Sequence, residues 1–279
     1  MILRDFELTL PPSQRWENLT LANDFLFGKI MSDAELCTEM IRRILPDIDI
    51  GHVEFTQLQK TEKYSLDTRG VRFDVFAKSD SRKIFDCEVQ TSDKKDLPRR
   101  TRAYHAVLGL ETLKTDTLKK SGTYNGMPDA FVIFICTFDP FKLGRHFYSF
   151  CNICNEDNSL KLNDGAVTIF LNARGKIDDV SVELKAFLDF MLGKKSDDPF
   201  IRRLDERLNE AKQNSEWRRN YMLLLTREDE KYHEGVTVGE KRGRSEAFNA
   251  AIDFMKTRGM TNEQINDFRA SVLKTSEEE

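Results

Sequence analysis

The chain has 279 residues, of which 39% are hydrophobic, and these values predict a globular protein of about two domains. Because its formal net charge is −4, any surface that binds a polyanion must be a local basic region. The longest uninterrupted apolar run, Ala130 to Cys136, is far shorter than the ~20 residues of a membrane-spanning helix, so we expect no membrane partner. The five cysteines, an odd number, and an amino terminus without the apolar core of a secretion signal favour a cytoplasmic protein.

Two helices are predicted ahead of the first clear strand. The apolar residues between Thr20 and Asp33 fall near helical spacing, and a second apolar face runs from Leu36 to Leu45. The residues Ser32 to Glu35 form a predicted capping box for the second helix. Pro46 ends that helix, because proline has no amide hydrogen to continue the helical hydrogen bonds.

A β-hairpin is predicted next. Side chains alternate between two faces from Val71 to Ala77 and again from Ile84 to Gln90, on either side of a polar turn at Lys78 to Lys83. On the second strand Asp86, Glu88 and Gln90 share one face.

The predicted hairpin brings acidic residues together. A turn centred near residue 80 or 81 places Asp74 opposite Cys87 or Glu88. Directly opposed side chains have Cβ atoms ~4.5–5.5 Å apart, so the carboxylates of Asp74 and Glu88 could hold one divalent cation, which would offset their mutual repulsion. Gln90 lies on the same face as Glu88 and could orient a water molecule. An ordinary solvated strand face explains the same alternation without any metal.

A basic helix is predicted from Pro98 to Thr112. The segment from Lys94 to Lys120 contains eight basic and three acidic residues, so it carries a local charge of +5. Such a surface attracts phosphate, although a solvated helical face accounts for the charges equally well. His105 of this helix could approach the acidic pair, but an ordinary structural role is the simpler interpretation.

The rest of the chain is predicted to change from strands to helices. Three strands are expected (Ala130 to Thr137, His146 to Asn152, Ala166 to Asn172), followed by three helical segments (Val182 to Leu192, Phe200 to Lys212, and Glu216 onward). A polar interruption near Lys195 predicts a boundary between a domain of residues 1–195 and a helical region of residues 196–279.

Glycines recur at every fourth position in the helical region, at Gly235, Gly239 and Gly243. On a helix they form a smooth stripe that lets a partner helix approach closely, although each costs ~1 kcal/mol of helix propensity. We therefore expect a homo-oligomer formed through the carboxy-terminal helices, with a flexible charged linker as the alternative.

The segment RFDVFAKSDSRKIFDCEVQ resembles the acidic core of the PD-(D/E)XK nucleases, in which an Asp and a Glu on neighbouring strands hold Mg²⁺ and a third residue, commonly Lys, assists the attacking water. The resemblance is sharpest to the PD-(D/E)XK family transposases, also described as recombination-promoting nucleases. Five elements occur in the order of that family, across roughly residues 20 to 230: NDFLFGKIM (Asn23 to Met31), the E-x-Q element, RRTRAYH (Arg99 to His105), FDPF (Phe138 to Phe141) and IFLN (Ile169 to Asn172).

The resemblance implies a role for individual residues. Asp74 and Glu88 correspond to the metal ligands, and Gln90 stands in the position of the catalytic lysine. Because glutamine carries no positive charge, either the metal and an arginine supply that charge or the enzyme is slow. Asp24 resembles an additional upstream acid of the superfamily, although an Asp at a helix start is more often a cap. Arginines of the basic helix, chiefly Arg99, Arg100 and Arg102, would contact DNA phosphates, and Tyr104 would border the site as part of the same DNA-binding surface.

The family implies both a fold and an activity. The expected fold is α/β, with a restriction-endonuclease-like core, a mixed central sheet flanked by helices and an α-helical carboxy-terminal region. The expected activity is Mg²⁺-dependent DNA endonuclease cleavage, with Mn²⁺ as an alternative cofactor, linked to recombination or mobile elements. A catalytically weak or inactive DNA-binding or assembly protein that keeps the fold is the alternative, and RNA is a third candidate substrate because the site chemistry does not distinguish the sugar.

Overall fold

Three helices open the computed structural model, which describes residues 12–58, 61–62, 71–113 and 123–275. They are α1 (Pro12–Glu17), α2 (Asp24–Met31) and α3 (Ala34–Ile44), of which α1 is not predicted from the sequence. The cap of α3 is Asp33 rather than Ser32, since Oδ1 of Asp33 accepts hydrogen bonds from the amides of Glu35 (3.0 Å) and Leu36 (3.2 Å). The predicted capping box is therefore displaced by one residue.

A six-stranded mixed sheet forms the centre of the fold. Its strands are β1 (Val53–Leu58), β4 (Val75–Ser79), β5 (Lys83–Gln90), β6 (Asp129–Cys136), β7 (Phe147–Phe150) and β8 (Ala166–Asn172), in the order β1-β4-β5-β6-β8-β7. Strands β5, β6 and β8 are parallel, whereas β1, β4 and β7 run antiparallel to their neighbours. This arrangement confirms the predicted α/β fold with a mixed sheet flanked by helices.

The first strand of the predicted hairpin is divided in two. Residues Val71–Arg72 form β3, which pairs with β2 (Thr61–Glu62), and β4 starts only at Val75. The predicted alternation from Val71 to Ala77 is wrong at this break, because Phe73 lies in the same hydrophobic cluster as Phe76. The pairing of β4 with β5 is as expected, and a turn at residues 80–82 joins the two strands.

Helix α4 (Leu97–Leu113) covers one face of the sheet. Its buried side chains join a cluster with apolar residues of the strands: Phe73, Phe76, Ile84, Leu97, Tyr104, Val107, Leu108, Val132, Phe134, Cys136, Tyr148 and Phe170. On the opposite face α2 packs against β5 and α3 against β1, and Cys87 of β5 is buried there.

The last basic residues of the predicted +5 segment (Lys114, Lys119 and Lys120) and residues 1–11 lie outside the described residues.

Two further helices complete the first of two compact units, which extends from Met1 to Arg218. Helix α5 (Val182–Met191) and helix α6 (Pro199–Gln213) pack against each other and against α3. Arg43 of α3 bonds Asp198, the cap of α6, at 2.9 Å, and Trp16 donates to the carbonyl of Lys212 at 2.8 Å. The unit therefore continues beyond the polar interruption at Lys195, because the apolar face of α6 is buried against the preceding helices.

The second compact unit spans Arg219 to Glu279. It contains most of helix α7 (Ser215–Thr257) and helix α8 (Asn262–Thr275), which begins with reciprocal bonds between Thr261 and Gln264. The rings of Phe248 and Phe268 stack with centroids 5.9 Å apart. Between residues 227 and 247 every side chain of α7 is exposed. Among the described helices, none is long and apolar enough to cross a membrane.

Candidate active site

Asp74 and Glu88 lie side by side at the break before β4. Val75 pairs with Cys87, and continuing this register by one residue places Asp74 opposite Glu88. The amide of Asp74 donates a hydrogen bond to Oε1 of Glu88 at 2.8 Å, and the amide of Val89 donates to Oδ2 of Asp74 at 3.1 Å. Side chains thus replace backbone partners at this point of the ladder, which explains why the strand is interrupted here.

Helix α4 adds a phenol and a guanidinium to this acidic pair. Arg100 and Tyr104 are four residues apart and therefore project from the same face of the helix. The hydroxyl of Tyr104 donates to Oε2 of Glu88 at 3.0 Å, and Nη2 of Arg100 lies 3.3 Å from the same oxygen. Nη1 of Arg100 donates to Oε1 of Gln90 at 2.9 Å. The structure thus brings together five of the residues that the sequence analysis selected.

Burial changes the acidity of the pair. Glu88 is only 2% exposed, and this burial together with the charge of Asp74 raises its pKa to about 8. Burial and the Glu88 carboxylate also raise the pKa of the Tyr104 hydroxyl, which keeps it a hydrogen-bond donor. A cation at this position would favour the ionised form of Glu88, because it offsets both causes of the shift.

Asp86 is a third acid on the same face of β5, and the sequence analysis did not select it as a site residue. It is completely buried, and neither of its carboxylate oxygens has a described donor in ordinary hydrogen-bond geometry, although the Glu88 carboxyl group lies close enough to interact with it. Burial, followed by the charges of Glu88 and Asp74, raises its pKa well above the usual range. The alternation of Asp86, Glu88 and Gln90 was the signal that could have identified it, since every second residue of a strand shares a face.

The four residues predicted to contact DNA divide into two pairs. Arg99 and Arg102 are exposed on α4, and neither forms an ion pair with another described residue. Arg100 and Tyr104 instead face the sheet, and their polar groups bond Glu88. Arg100 therefore places a positive charge beside Gln90, which lacks one.

Two other residues are held by local contacts. Oδ1 of Asp24 accepts a hydrogen bond from the amide of Phe25 at 2.8 Å, while Asn23 caps α2 by accepting from Leu26 at 3.2 Å. The described contacts of Asp24 thus stay at the first turn of α2 and do not reach Asp74 or Glu88. His105 Nε2 lies 2.9 Å from the hydroxyl of Thr168 on β8, away from the acidic pair.

The donor set suits Mg²⁺ with two protein ligands. Within the described residues, no three His, Cys, Asp or Glu side chains are grouped so that they could hold a metal ion together. Mg²⁺, however, is commonly bound by one or two carboxylates and completes its octahedron with water and substrate phosphate. The carboxylates of Asp74, Glu88 and Asp86 would carry an excess of negative charge once ionised, which a divalent cation would offset, so these residues fit such a cation.

Comparison with known proteins agrees with the resemblance drawn from the sequence. No curated protein and no solved structure matches the chain. The sequence profile of one family, described as PD-(D/E)XK nuclease family transposase, matches residues 21–233, which is more than half of the chain. The matched residues include helices α2 and α3, the central sheet and helix α4. The chain therefore belongs to the PD-(D/E)XK nuclease family transposases.

Proposed function

We propose that the protein is a Mg²⁺-dependent DNA endonuclease that acts in recombination or on mobile elements. The observation that carries this proposal is the contact between Asp74 and Glu88, which holds two carboxylates together on neighbouring strands of a nuclease-family fold. Membership of the family supports a nuclease or transposase-like function. The metal dependence, the DNA substrate, the cleavage activity and a cytoplasmic site of action are parts of the proposal.

The reaction would be hydrolysis of a phosphodiester: water adds to phosphorus, one P–O ester bond breaks, and the products are an alcohol and a phosphate monoester. Bound Mg²⁺ supplies a more acidic water and neutralises phosphate charge. Asp74 and Glu88 would hold the ion, and Tyr104 and the Asp74 amide keep the Glu88 carboxylate oriented. Gln90 would orient the attacking water through its side-chain amide. Arg100, 2.9 Å from Gln90, would provide the cationic charge that a lysine provides elsewhere in the superfamily.

Substrate binding is proposed to involve the exposed face of α4. Arg99 and Arg102 are exposed there and would contact phosphates of the DNA backbone. Asp24 is retained only as a proposed auxiliary acid, since its carboxylate bonds within its own helix. A protein that binds DNA without cutting it remains the second candidate, because Gln90 replaces lysine and Arg100 already occupies one oxygen of Glu88.

Cleavage of supercoiled plasmid by purified protein tests the proposal. The wild type should nick DNA with Mg²⁺ or Mn²⁺ and not in EDTA, and Asp74→Asn and Glu88→Gln should abolish nicking while far-UV circular dichroism stays unchanged. The matched control is Asp205→Asn, which removes an acid of α6 and should cut normally. Protein that shifts DNA but leaves it intact with every divalent ion supports the second candidate. Equal cleavage of labelled RNA of the same sequence would contradict the DNA assignment.

We also propose that α7 pairs two copies of the chain. A Cβ atom at Gly235, Gly239 or Gly243 would meet no described atom within 4 Å, so the glycine stripe is open for a partner helix. Tyr232 is 69% exposed, and Val236 is 40% exposed, beside the stripe. A helix with three glycines, whose side chains are all exposed from residue 227 to residue 247, is intrinsically weak, and packing against a second copy would stabilise it.

A further inference from the structure

We infer that the loops following β6 and β8 form a second phosphate-binding surface, on which the DNA backbone beside the cleaved bond lies. Its cationic residues are Lys142, Arg174 and Lys176, which we call the loop cations. This inference rests on the proposed DNA substrate and adds a binding surface that the family resemblance does not assign. It is carried by the position of these residues at one edge of the sheet and by their charges.

The loop cations follow strands that end at the same edge of the sheet as β5, the strand that carries Glu88 and Gln90. Strands β5, β6 and β8 are parallel and in register, so Gln90, Cys136 and Asn172 lie side by side at their carboxyl ends. The amide of Thr137 donates to the carbonyl of Gln90 at 3.0 Å. The Nε of Arg174 donates to the carbonyl of Thr137 at 2.7 Å. The guanidinium of Arg174 is thereby held at the same sheet edge as Gln90.

The loop after β6 is held in a defined shape. The carboxylate of Asp139 accepts hydrogen bonds from the amides of Lys142 (2.9 Å) and Gly144 (2.7 Å) and from the hydroxyl of Tyr148 (3.0 Å). The amide of Lys176, in the loop after β8, donates to the carbonyl of Gly144 at 2.7 Å. The two loops are therefore fastened to each other, and little further ordering would be needed to present their cations to a ligand.

The local charge balance favours an anionic ligand. Lys142, Arg174 and Lys176 are exposed, and none of them forms an ion pair with any described residue. Arg145 of the same loop is not counted, because its guanidinium lies 3.5 Å from Asp179. Of the acids in this region, Asp139 accepts the loop amides and Asp93 pairs with Lys95 and also interacts with the charge of Lys142, whereas Asp178 is exposed in the loop after β8. Lys142 has a counter-charge nearby in Asp93, whereas no described ion pair engages Arg174 or Lys176, so the case for an anionic ligand rests mainly on these two residues.

The distances suit a nucleic-acid backbone rather than a single anion. Adjacent strands are ~4.8 Å apart, so the end of β8 lies about 10 Å from the end of β5. Successive phosphates of one DNA strand advance ~3.4 Å along the helix axis and lie farther apart than this through space, so the span is comparable to a few nucleotides of backbone. A strand cleaved at Asp74 and Glu88 could therefore continue across the sheet edge to the loop cations, while Arg99 and Arg102 contact it from α4.

The experiment measures how the affinity for a short fluorescent DNA duplex depends on salt, without divalent metal so that no cleavage occurs. The test variant combines Lys142→Gln, Arg174→Gln and Lys176→Gln. The control variant combines Lys195→Gln, Arg202→Gln and Arg203→Gln, and it removes the same charge from exposed residues near and on α6. Each lost phosphate contact lowers the slope of log K against log salt by about 0.9, so the first variant should lose up to ~2.7 and the second should match the wild type.

Equal salt slopes for the two triple variants would overturn the inference while leaving the proposed function intact. A wild type that binds no duplex at low salt would instead contradict the DNA substrate itself. Because Arg174 also bonds the main chain, the double variant Lys142→Gln, Lys176→Gln provides a second measurement, expected to lower the slope by up to ~1.8 with an unchanged melting temperature. An unchanged slope in the double variant would count against the inference as well.

Discussion

The main-chain amide of Asp74 donates a hydrogen bond to the side-chain carboxylate of Glu88, at a distance of 2.8 Å. In addition, the amide of Val89 donates a hydrogen bond to the carboxylate of Asp74. These two side-chain contacts take the place of backbone pairing just before β4, whose pairing with β5 starts at Val75. The two acids are therefore positioned by the backbone of both strands. A cation that binds them meets carboxylates that are already oriented, and little side-chain entropy is lost on binding.

The metal-free protein should lose stability as the pH rises. The pKa of Glu88 is raised from its usual 4.5 to about 8, so folding favours the protonated form. Its stabilising effect is fully present below pH 4.5 and is lost as the pH passes through about 8. Melting temperatures in EDTA from about pH 5 to 9 should fall, and Asp86, whose pKa is raised in the same direction, should add to the fall.

Glu88→Gln is the matched control for this pH dependence. Glutamine does not titrate but can still accept the bond from the Asp74 amide, so the fall in melting temperature should become smaller. Equal pH dependence in the variant and the wild type would show that Glu88 is not the titrating group.

Removing Arg100 should slow the chemical step more than it weakens binding. Arg100 contacts Gln90 and Glu88, whereas Arg99 beside it is exposed. Arg100→Gln should lower kcat for DNA cleavage by about 10²-fold, the usual loss when a positioned charge-stabilising donor is removed. Arg99→Gln should mainly raise KM. If both variants change KM alone, Arg100 has no role beyond DNA binding.

Introducing the superfamily's lysine should not improve this site without a second change. A lysine at position 90 would lie against the Arg100 guanidinium, whose Nη1 donates a hydrogen bond to Gln90 Oε1 at 2.9 Å. Gln90→Lys should therefore lower the melting temperature, and Gln90→Lys combined with Arg100→Gln should recover it. Additive effects in this double-mutant cycle would contradict the contact.

Replacing Asp86 by leucine should stabilise the metal-free protein. Its buried carboxylate has no described hydrogen-bond partner, so an apolar side chain of similar shape removes a desolvation cost of about 1–3 kcal/mol. Urea unfolding in EDTA measures the change. Lower stability of Asp86→Leu would indicate that the carboxylate makes a favourable contact.

The glycine stripe of α7 can be tested by changing its shape. Gly239→Leu should prevent close helix pairing and convert a dimer to a monomer in sedimentation equilibrium. Thr237→Leu is the control, because a residue two positions away lies on nearly the opposite side of the helix. Sedimentation of the wild type as a monomer, or an equal effect of both variants, would refute pairing through this stripe.

Local patterns in the chain are sufficient to predict much of this fold. Alternation over Ile84 to Gln90 identifies β5, and apolar composition identifies β6. The spacing across the hairpin turn places Asp74 opposite Cys87 or Glu88, and the register of the structure selects Glu88. These features depend on neighbours within about 20 residues, for which side-chain period and turn length fix the geometry. The ordered family motifs add the nuclease fold, which the family match confirms.

Contacts between distant segments decide the rest. No pattern in β5 shows that Arg100 and Tyr104 turn toward Glu88 rather than toward solvent, because that depends on how α4 packs across the sheet. The burial of Asp86, the extension of the first unit to Arg218 and the meeting of the two loops at Gly144 have the same origin. Each of these features arises when elements that are far apart in sequence pack together. Such packing determines which polar groups are buried beside one another, and therefore their charge states.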